Sequence, residues 1–157
     1  MPISSKLIQL LRKEFVLNWG GVHGAPHWAR VMQNGLRLCE FTGANPKVVE
    51  AFAFLHDSKR LNDEDDPLHG ERAANFIRSL PSSVLNLSIE EVKLLVDACI
   101  GHSHGLMLAD ITIRTCWDAD RLDLGRGGIY PDPARLCTEA ARDPSIIRWA
   151  FTRSTQH

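Results

Sequence analysis

The stretch AFLHDSKR, residues 53–60, decides how this chain folds. An apolar run leads without a break into His56 and Asp57, so two ionisable side chains directly follow residues suited to a protein core. Burying an ionised carboxylate costs free energy unless a partner compensates its charge. If Asp57 is buried, the fold must therefore provide a partner that compensates the charge of its carboxylate.

The hydrophobic pattern on both sides of this stretch predicts an all-α protein. Apolar residues recur at spacings of three and four, and no useful alternation of period two is found. The pattern predicts helices at about 4–18, 26–42, 46–57, 67–80, 88–102, 109–124, 133–142 and 145–153.

Capping residues predict several of the helix boundaries. Asn45, Asp66 and Asp132 each precede a proline, which favours an N-cap followed by the first helical residue. A capping box begins at Ser88, and Gly43 is suited to end the second helix.

Length and composition indicate one globular domain spanning residues 1–157. The 157 residues are 44% hydrophobic and 24% charged, which is enough apolar material for a core. A formal net charge of -1 provides no overall basic field, so binding to a nucleic-acid duplex or to an anionic membrane is not expected. Any charge that binds phosphate must therefore be local.

Cysteine usage predicts a cytoplasmic location. The four cysteines are far apart and form no CxxC pair, as expected of reduced core thiols. The sequence also has no apolar run of membrane-spanning length and no signal-peptide pattern at its start. We therefore expect neither secretion nor membrane insertion.

Several polar residues fall on the apolar faces of the predicted helices. His27 shares its face with Val31 and Leu38, and His56 and Asp57 end the apolar surface of the third helix. Asp120 lies on an inward face of the sixth helix. The sequence therefore predicts two histidines and two aspartates directed into the core.

Two neighbours of Asp120 are assigned other roles. Asp118 lies four residues after Arg114 and three before Arg121, which predicts a surface ion pair. Asp123 can border the same site as Asp120, but helical spacing alone does not decide this.

The remaining histidines divide into two groups. His69 and His102 lie at helix ends on apolar lines, whereas His23 and His104 lie in loops and His157 ends the sequence. For the latter three we predict surface positions.

A divalent cation would resolve the burial of the two carboxylates. A single inward histidine is more often a core side chain bonded to a carbonyl group. However, no Lys or Arg shares the helix faces of Asp57 and Asp120, so their charges need another partner. Imidazole and carboxylate ligands together suit Mn, Fe, Ni, Co, Zn or Mg, and the cysteine spacing argues against a structural zinc site.

These residues resemble the HD-domain superfamily of metal-dependent phosphohydrolases. The resemblance lies in His27 of PHWARV, the doublet His56-Asp57 of FLHDSKR and Asp120 of DADRLDLGRGG, and it covers about residues 22–130. It implies a single-domain helical bundle in which these four residues bind a divalent metal ion.

Some HD subfamilies bind a second metal ion through additional histidines. His69 in HGERAA and His102 in GHSHG stand where such ligands, or residues that line the site, could lie. The Gly-Tyr-Pro triplet typical of the cyclic-dinucleotide phosphodiesterase branch is absent, and GGIYPD contains only the Tyr130-Pro131 pair.

The resemblance implies hydrolysis of a phosphomonoester, phosphodiester or pyrophosphate by water that a metal ion activates. The expected substrate is a small phosphorylated molecule, with nucleotides favoured. Asp57 is the candidate catalytic residue, because it can orient the attacking water besides binding the metal. Arg30 and Lys59 are the candidates for binding the substrate phosphate. Arg60 and Arg121 are favoured as exposed cations.

The sequence leaves two other hypotheses about the function of the protein open. One is a regulatory module of the HD type that binds a metal ion or a nucleotide without turnover. The other is a purely structural bundle whose buried polar groups bond to one another. For the polar loop 58–66 we expect a solvated connection rather than a wall of the site.

Overall fold

The computed structural model describes residues 3–156, and within that range the chain is helical. Two short 3-10 helices, Leu124–Gly127 and Pro133–Arg135, accompany the α-helices, and no strand is found in these residues. The α-helices are α1 (Ser5–Glu14), α2 (Ala25–Thr42), α3 (Pro46–Leu55), α4 (His69–Ser79), α5 (Ile89–Gly101), α6 (Ile111–Arg121), α7 (Glu139–Arg142) and α8 (Pro144–Ser154). The predicted all-α fold is confirmed.

The centre of the bundle is α3, which packs against α2, α5 and α6. The apolar residues of this helix supply most of the buried surface there, and Phe52 and Leu55 are fully buried. Asn45 caps the helix through its side chain, and Pro46 takes the first helical position as predicted. Because α3 ends inside the core, the residues that follow it enter the core as well.

Two glycines allow the helices to approach closely. A Cβ atom at Gly35 of α2 would lie 2.3 Å from Cγ1 of Val49 on α3, and one at Gly70 of α4 would lie 2.4 Å from the carbonyl oxygen of Cys99 on α5. A larger residue would force these helices apart. The two contacts therefore set the spacing of α2 from α3 and of α4 from α5.

The cap predicted at Asp66 and the continuous helix predicted over 133–142 are wrong, and the first helix ends at Glu14 rather than at about 18. Asp66 does not cap α4, because its carboxylate accepts hydrogen bonds from the Leu61 amide and from Arg72, and the helix begins only at His69. The predicted helix 133–142 is divided in two, since Thr138 turns the chain and caps α7 through its own side chain. The Ser88 capping box and the end of α2 at Gly43 are confirmed.

The predicted surface position of Asp118 is wrong. Its side chain is fully buried, and its carboxylate accepts hydrogen bonds from the amides of Cys137 and Thr138 and from the Thr138 hydroxyl at 2.7–2.9 Å. Burial raises the pKa of Asp118, although these three donors lower it. Asp118 therefore fastens the segment before α7 to α6.

Two further observations bear on the sequence predictions. All four cysteines carry free thiols. Of the helices that the structure describes, none combines the length and the apolar character needed to cross a bilayer.

We expect Asp118→Ala to lower the free energy of unfolding by about 2–4 kcal/mol, because it leaves two buried amides and a hydroxyl without an acceptor. Urea denaturation followed by circular dichroism measures this. Asp97→Ala, at an exposed position of α5, is the matched control and should change stability by less than about 0.5 kcal/mol. Equal effects of the two substitutions would contradict this role of Asp118.

Candidate metal centre

Three helices bring the four predicted ligands to one point. His27 lies in the first turn of α2, His56 and Asp57 follow the end of α3, and Asp120 lies in the last turn of α6. The two histidines are fully buried, and the side chain of Asp120 is 17% exposed. Asp120 thus connects the buried cluster with the surface.

The donor atoms of this first cluster have the spacing of ligands around one cation. Nε2 of His27 lies 3.2 Å from Nε2 of His56, 3.3 Å from Oδ2 of Asp57 and 3.2 Å from Oδ1 of Asp120. Nε2 of His56 lies 3.3 Å and 3.4 Å from the same two oxygens. Ligand atoms bonded at about 2.1 Å lie about 3.4 Å apart around a tetrahedral ion and about 3.0 Å apart at adjacent octahedral positions.

A second cluster shares Asp57 with the first. Oδ1 of Asp57 lies 3.2 Å from Nε2 of His69 and 3.5 Å from Nε2 of His102, and these two nitrogens are 2.8 Å apart. The other oxygen of Asp57 faces the first cluster. Asp57 therefore stands between the two clusters and presents one oxygen to each.

The hydrogen bonds of the four histidines fix which ring nitrogen carries the proton. Nδ1 of His27 bonds to the carboxylate of Asp123, and Nδ1 of His56 bonds to the carbonyl oxygens of Phe52 and Ala53. The Nδ1 atoms of His69 and His102 likewise bond to backbone carbonyl oxygens. Carbonyl and carboxylate oxygens accept protons in hydrogen bonds, so each neutral ring has its proton on Nδ1 and a lone pair on Nε2.

The chemistry of this donor set fits a divalent cation. Four Nε2 atoms and the oxygens of two carboxylates face one another inside the protein, and unprotonated nitrogens and carboxylates repel unless positive charge lies between them. Histidine ligands that donate their other ring proton to an oxygen acceptor are typical of metal sites. In the described residues, His27, His56, Asp57 and Asp120 could hold one cation, and Asp57, His69 and His102 could contribute to a second.

The pKa values of the clustered side chains are shifted because these groups are buried close to one another. Burial lowers the pKa of His56, but the carboxylates of Asp57 and Asp120 raise it to about 10 overall. Burial raises the pKa values of Asp57 and Asp120, yet the surrounding histidines hold both well below their usual range. His102 is different, because burial lowers its pKa more strongly than Asp57 raises it.

Asp123 is a part of the site that helical spacing did not decide. It is fully buried; Oδ2 accepts the hydrogen bond from His27 at 2.6 Å, and Oδ1 accepts one from Nε of Arg30 at 2.8 Å. Asp123 lies just beyond the end of α6, where the chain no longer follows helical geometry. The signal that could have found it is its position three residues after Asp120 in ADRLD.

The basic residues near the site are placed as follows. Arg30 is held by Asp123, and Lys59 lies over the ring of Phe76 with its ammonium group 3.5 Å from Glu14. Nε of Arg60 lies 3.4 Å from Oδ1 of Asp57 and is buried without a hydrogen bond. The prediction that Arg60 is an exposed cation is therefore wrong, since the turn after α3 brings its side chain back to Asp57 and leaves it only 12% exposed.

A cavity of about 750 Å³ opens beside the cluster. His102 and Asp120 lie on its wall, and so does Arg121, whose guanidinium donates hydrogen bonds to the carbonyl oxygens of Leu106 and Arg135. The loop 58–66 contributes no residue to this wall. Arg121 is thus partly enclosed rather than free in solvent.

The histidines predicted at the surface differ from one another. The side chain of His23 is 12% exposed and bonds to Asp63, so its predicted surface position is wrong. The side chain of His104 is 42% exposed, as predicted. His157 lies outside the described residues.

No protein-family model matches the sequence, and no curated protein does. The chain does match the crystal structure of a predicted HD superfamily hydrolase from an uncultured Thermotogales bacterium. The TM-score is 0.70 at 22% sequence identity, and the match covers 94% of this chain and 84% of that one. The expected helical bundle of the HD type is confirmed.

We expect Asp123→Asn to weaken metal binding by about 10- to 100-fold, because the neutral amide orients His27 less firmly and releases Arg30. Titration calorimetry with Mn²⁺ or Zn²⁺ measures the dissociation constant. The control is Asp63→Asn, which changes the same kind of contact at His23 and should leave metal binding unchanged. An unaltered dissociation constant for Asp123→Asn would contradict this role.

Proposed function

We propose that this protein is a metal-dependent hydrolase that cleaves a phosphate bond in a small phosphorylated molecule. The convergence of four Nε2 atoms on two carboxylates, next to an open cavity, is the observation that carries the proposal. The fold shared with a predicted HD superfamily hydrolase supports it. Among phosphorylated molecules we favour nucleotides, and we place the reaction in the cytoplasm because the four thiols are free.

We assign His27, His56, Asp57 and Asp120 as the ligands of the first cation. His69 and His102 complete a second position with the other oxygen of Asp57. A cation at these positions supplies Lewis acidity, which lowers the pKa of water and polarises a phosphoryl oxygen.

The protein's own residues orient and enclose this centre. Asp123 and the backbone carbonyl groups hold the four imidazole rings with their lone pairs inward, so the donor atoms need little rearrangement when they bind. Asp57 is the proposed catalytic residue, because its carboxylate lies between both clusters and can direct a water molecule from there.

Three basic residues are proposed to neutralise the substrate phosphate. Arg60 is nearest to the cluster, since its buried Nε atom has no hydrogen-bond partner and lies 3.4 Å from Asp57, although its Nη1 atom already donates to the carbonyl oxygens of Asn62 and Glu64. Arg30 and Lys59 remain proposals as well, although each already contacts a carboxylate, so a phosphate must compete with Asp123 or Glu14.

The test of function is turnover by protein purified without chelator and assayed with Mn²⁺, Fe²⁺, Ni²⁺, Co²⁺, Zn²⁺ or Mg²⁺. The substrates are nucleoside mono-, di- and triphosphates and a chromogenic phosphodiester. We expect at least one combination to be hydrolysed, and Asp120→Ala to abolish that activity because it removes a ligand of the first cation. Metal binding without any turnover would favour a regulatory binding module, and no metal binding at all would favour a structural bundle.

The number of bound cations tests the second position separately. We expect two metal ions per chain in the unaltered protein and about one in His69→Ala, because that change removes one of the three donors of the second cluster. Elemental analysis after gel filtration gives the ratio. His104→Ala, at a half-exposed histidine, is the control and should retain both ions. A ratio of one in the unaltered protein would overturn the second position and leave the first untouched.

A further inference from the structure

The cavity beside the cluster lies between two chain segments. Residues of the loop after α5, including Gly105 and Met107, form one side, and residues 124–136 form the other. His102 and Asp120, which together with His56 could also hold a metal ion, line the same cavity. A molecule in this cavity can therefore reach both clusters at once.

The walls of the cavity are largely apolar. Met107, Leu124, Ile129 and Tyr130 line it, and the last two are 56% and 52% exposed. Large apolar side chains exposed around a concave site are typical of ligand-binding surfaces rather than of ordinary protein surface. The volume of about 750 Å³ also lies in the usual range for small-molecule sites.

The cavity is held open by arginines bonded to backbone carbonyl groups. Arg121 joins the two sides, because its guanidinium donates to the carbonyl oxygens of Leu106 and Arg135 at 2.7 Å and 2.9 Å. Arg126 donates to the carbonyl oxygens of Val22 and Asp123. These side chains are thus engaged in holding the walls, which leaves the apolar surface to receive the ligand.

Tyr130 is placed to contact a flat ring. Its own ring packs against Phe151 with centroids 4.9 Å apart, which supports it from one side, and about half of its surface stays exposed where it lines the cavity. Aromatic rings supported in this way present a rigid face on which another ring can stack.

We infer that this cavity binds the organic part of the substrate, and that this part carries an aromatic ring system of nucleobase size that stacks on Tyr130. The phosphoryl group then lies at the end formed by His102 and Asp120. This inference rests on the proposed function and adds to it where the base is bound and which residue it stacks on.

The test compares ligands that share a phosphate ester and differ in the ring. Adenosine and cytidine 5′-monophosphates and ribose 5-phosphate carry the same ester on a primary alcohol, and the sugar phosphate lacks the base. Titration calorimetry of the metal-loaded protein with phosphonate analogues of the three, which are not hydrolysed, measures affinity without turnover. We expect at least one nucleotide analogue to bind about tenfold more tightly than the ribose analogue.

Variants of Tyr130 separate stacking from general packing. Tyr130→Ala should lower the affinity for that nucleotide analogue about tenfold and leave the affinity for the ribose analogue unchanged. Tyr130→Phe should keep the affinity for both. Phe41→Ala is the matched control, because this exposed ring of α2 lies outside the cavity. Equal affinity for all three analogues, or no change in Tyr130→Ala, would overturn the inference.

These outcomes are separate from those that decide the proposed function. Hydrolysis of phosphate esters with no preference for a base would leave the function standing and overturn the inference. If a nucleotide analogue binds in a way that depends on Tyr130 but no substrate is turned over, the result would support the inference and contradict the proposed hydrolase activity. Failure of every analogue to bind would overturn the inference whatever the hydrolytic assay shows.

Discussion

The structure depends on one electrostatic constraint, which is that four imidazole Nε2 atoms and two carboxylates face a common space inside the bundle. Asp57 is the centre of this arrangement, because each of its oxygens faces two histidine nitrogens. The outer Nδ1 protons of the rings are fixed on carbonyl and carboxylate acceptors, so the rings cannot turn to relieve the repulsion without losing buried hydrogen bonds. Only positive charge at the centre satisfies the donors that face it.

The helix packing follows from the need to bring these groups together. Gly35 lets α2 approach α3 closely enough for His27 to meet His56, and Gly70 lets α4 approach α5 so that His69 meets His102. Gly35 stands in the interior of α2, where glycine is usually unfavourable relative to alanine, and Gly70 stands in the first turn of α4. The close packing of the helices offsets the cost of glycine. The same short distance between helices also brings the paired histidines into contact.

The fold class and the inward positions of His27, His56, Asp57 and Asp120 are predictable from the sequence, because these residues lie on or directly beside regular helices whose faces follow from spacing. A position is not predictable in this way where the partner that decides it comes from a distant part of the chain. Spacing places Asp118 near Arg114 and Arg121 on α6, but the segment that returns at Cys137 and Thr138 covers that face and binds the carboxylate. Arg60 and Asp123 lie beyond helix ends, where a turn rather than a helical period sets the direction of the side chain.

The distribution of arginines also bears on how a substrate phosphate would be neutralised. Arg30 is bonded to Asp123, and Arg121 and Arg126 are bonded to backbone carbonyl groups, so three of the guanidinium groups nearest the cavity already hold the scaffold. Releasing Arg30 would take one of two partners from the buried carboxylate of Asp123, and releasing the others would free the loops that they join. In the proposed function, a cation held by the histidine and aspartate side chains would therefore supply most of the positive charge that a phosphoryl group meets. These three arginines therefore hold the walls of the site in place, whereas the histidine and aspartate clusters determine the charge inside it.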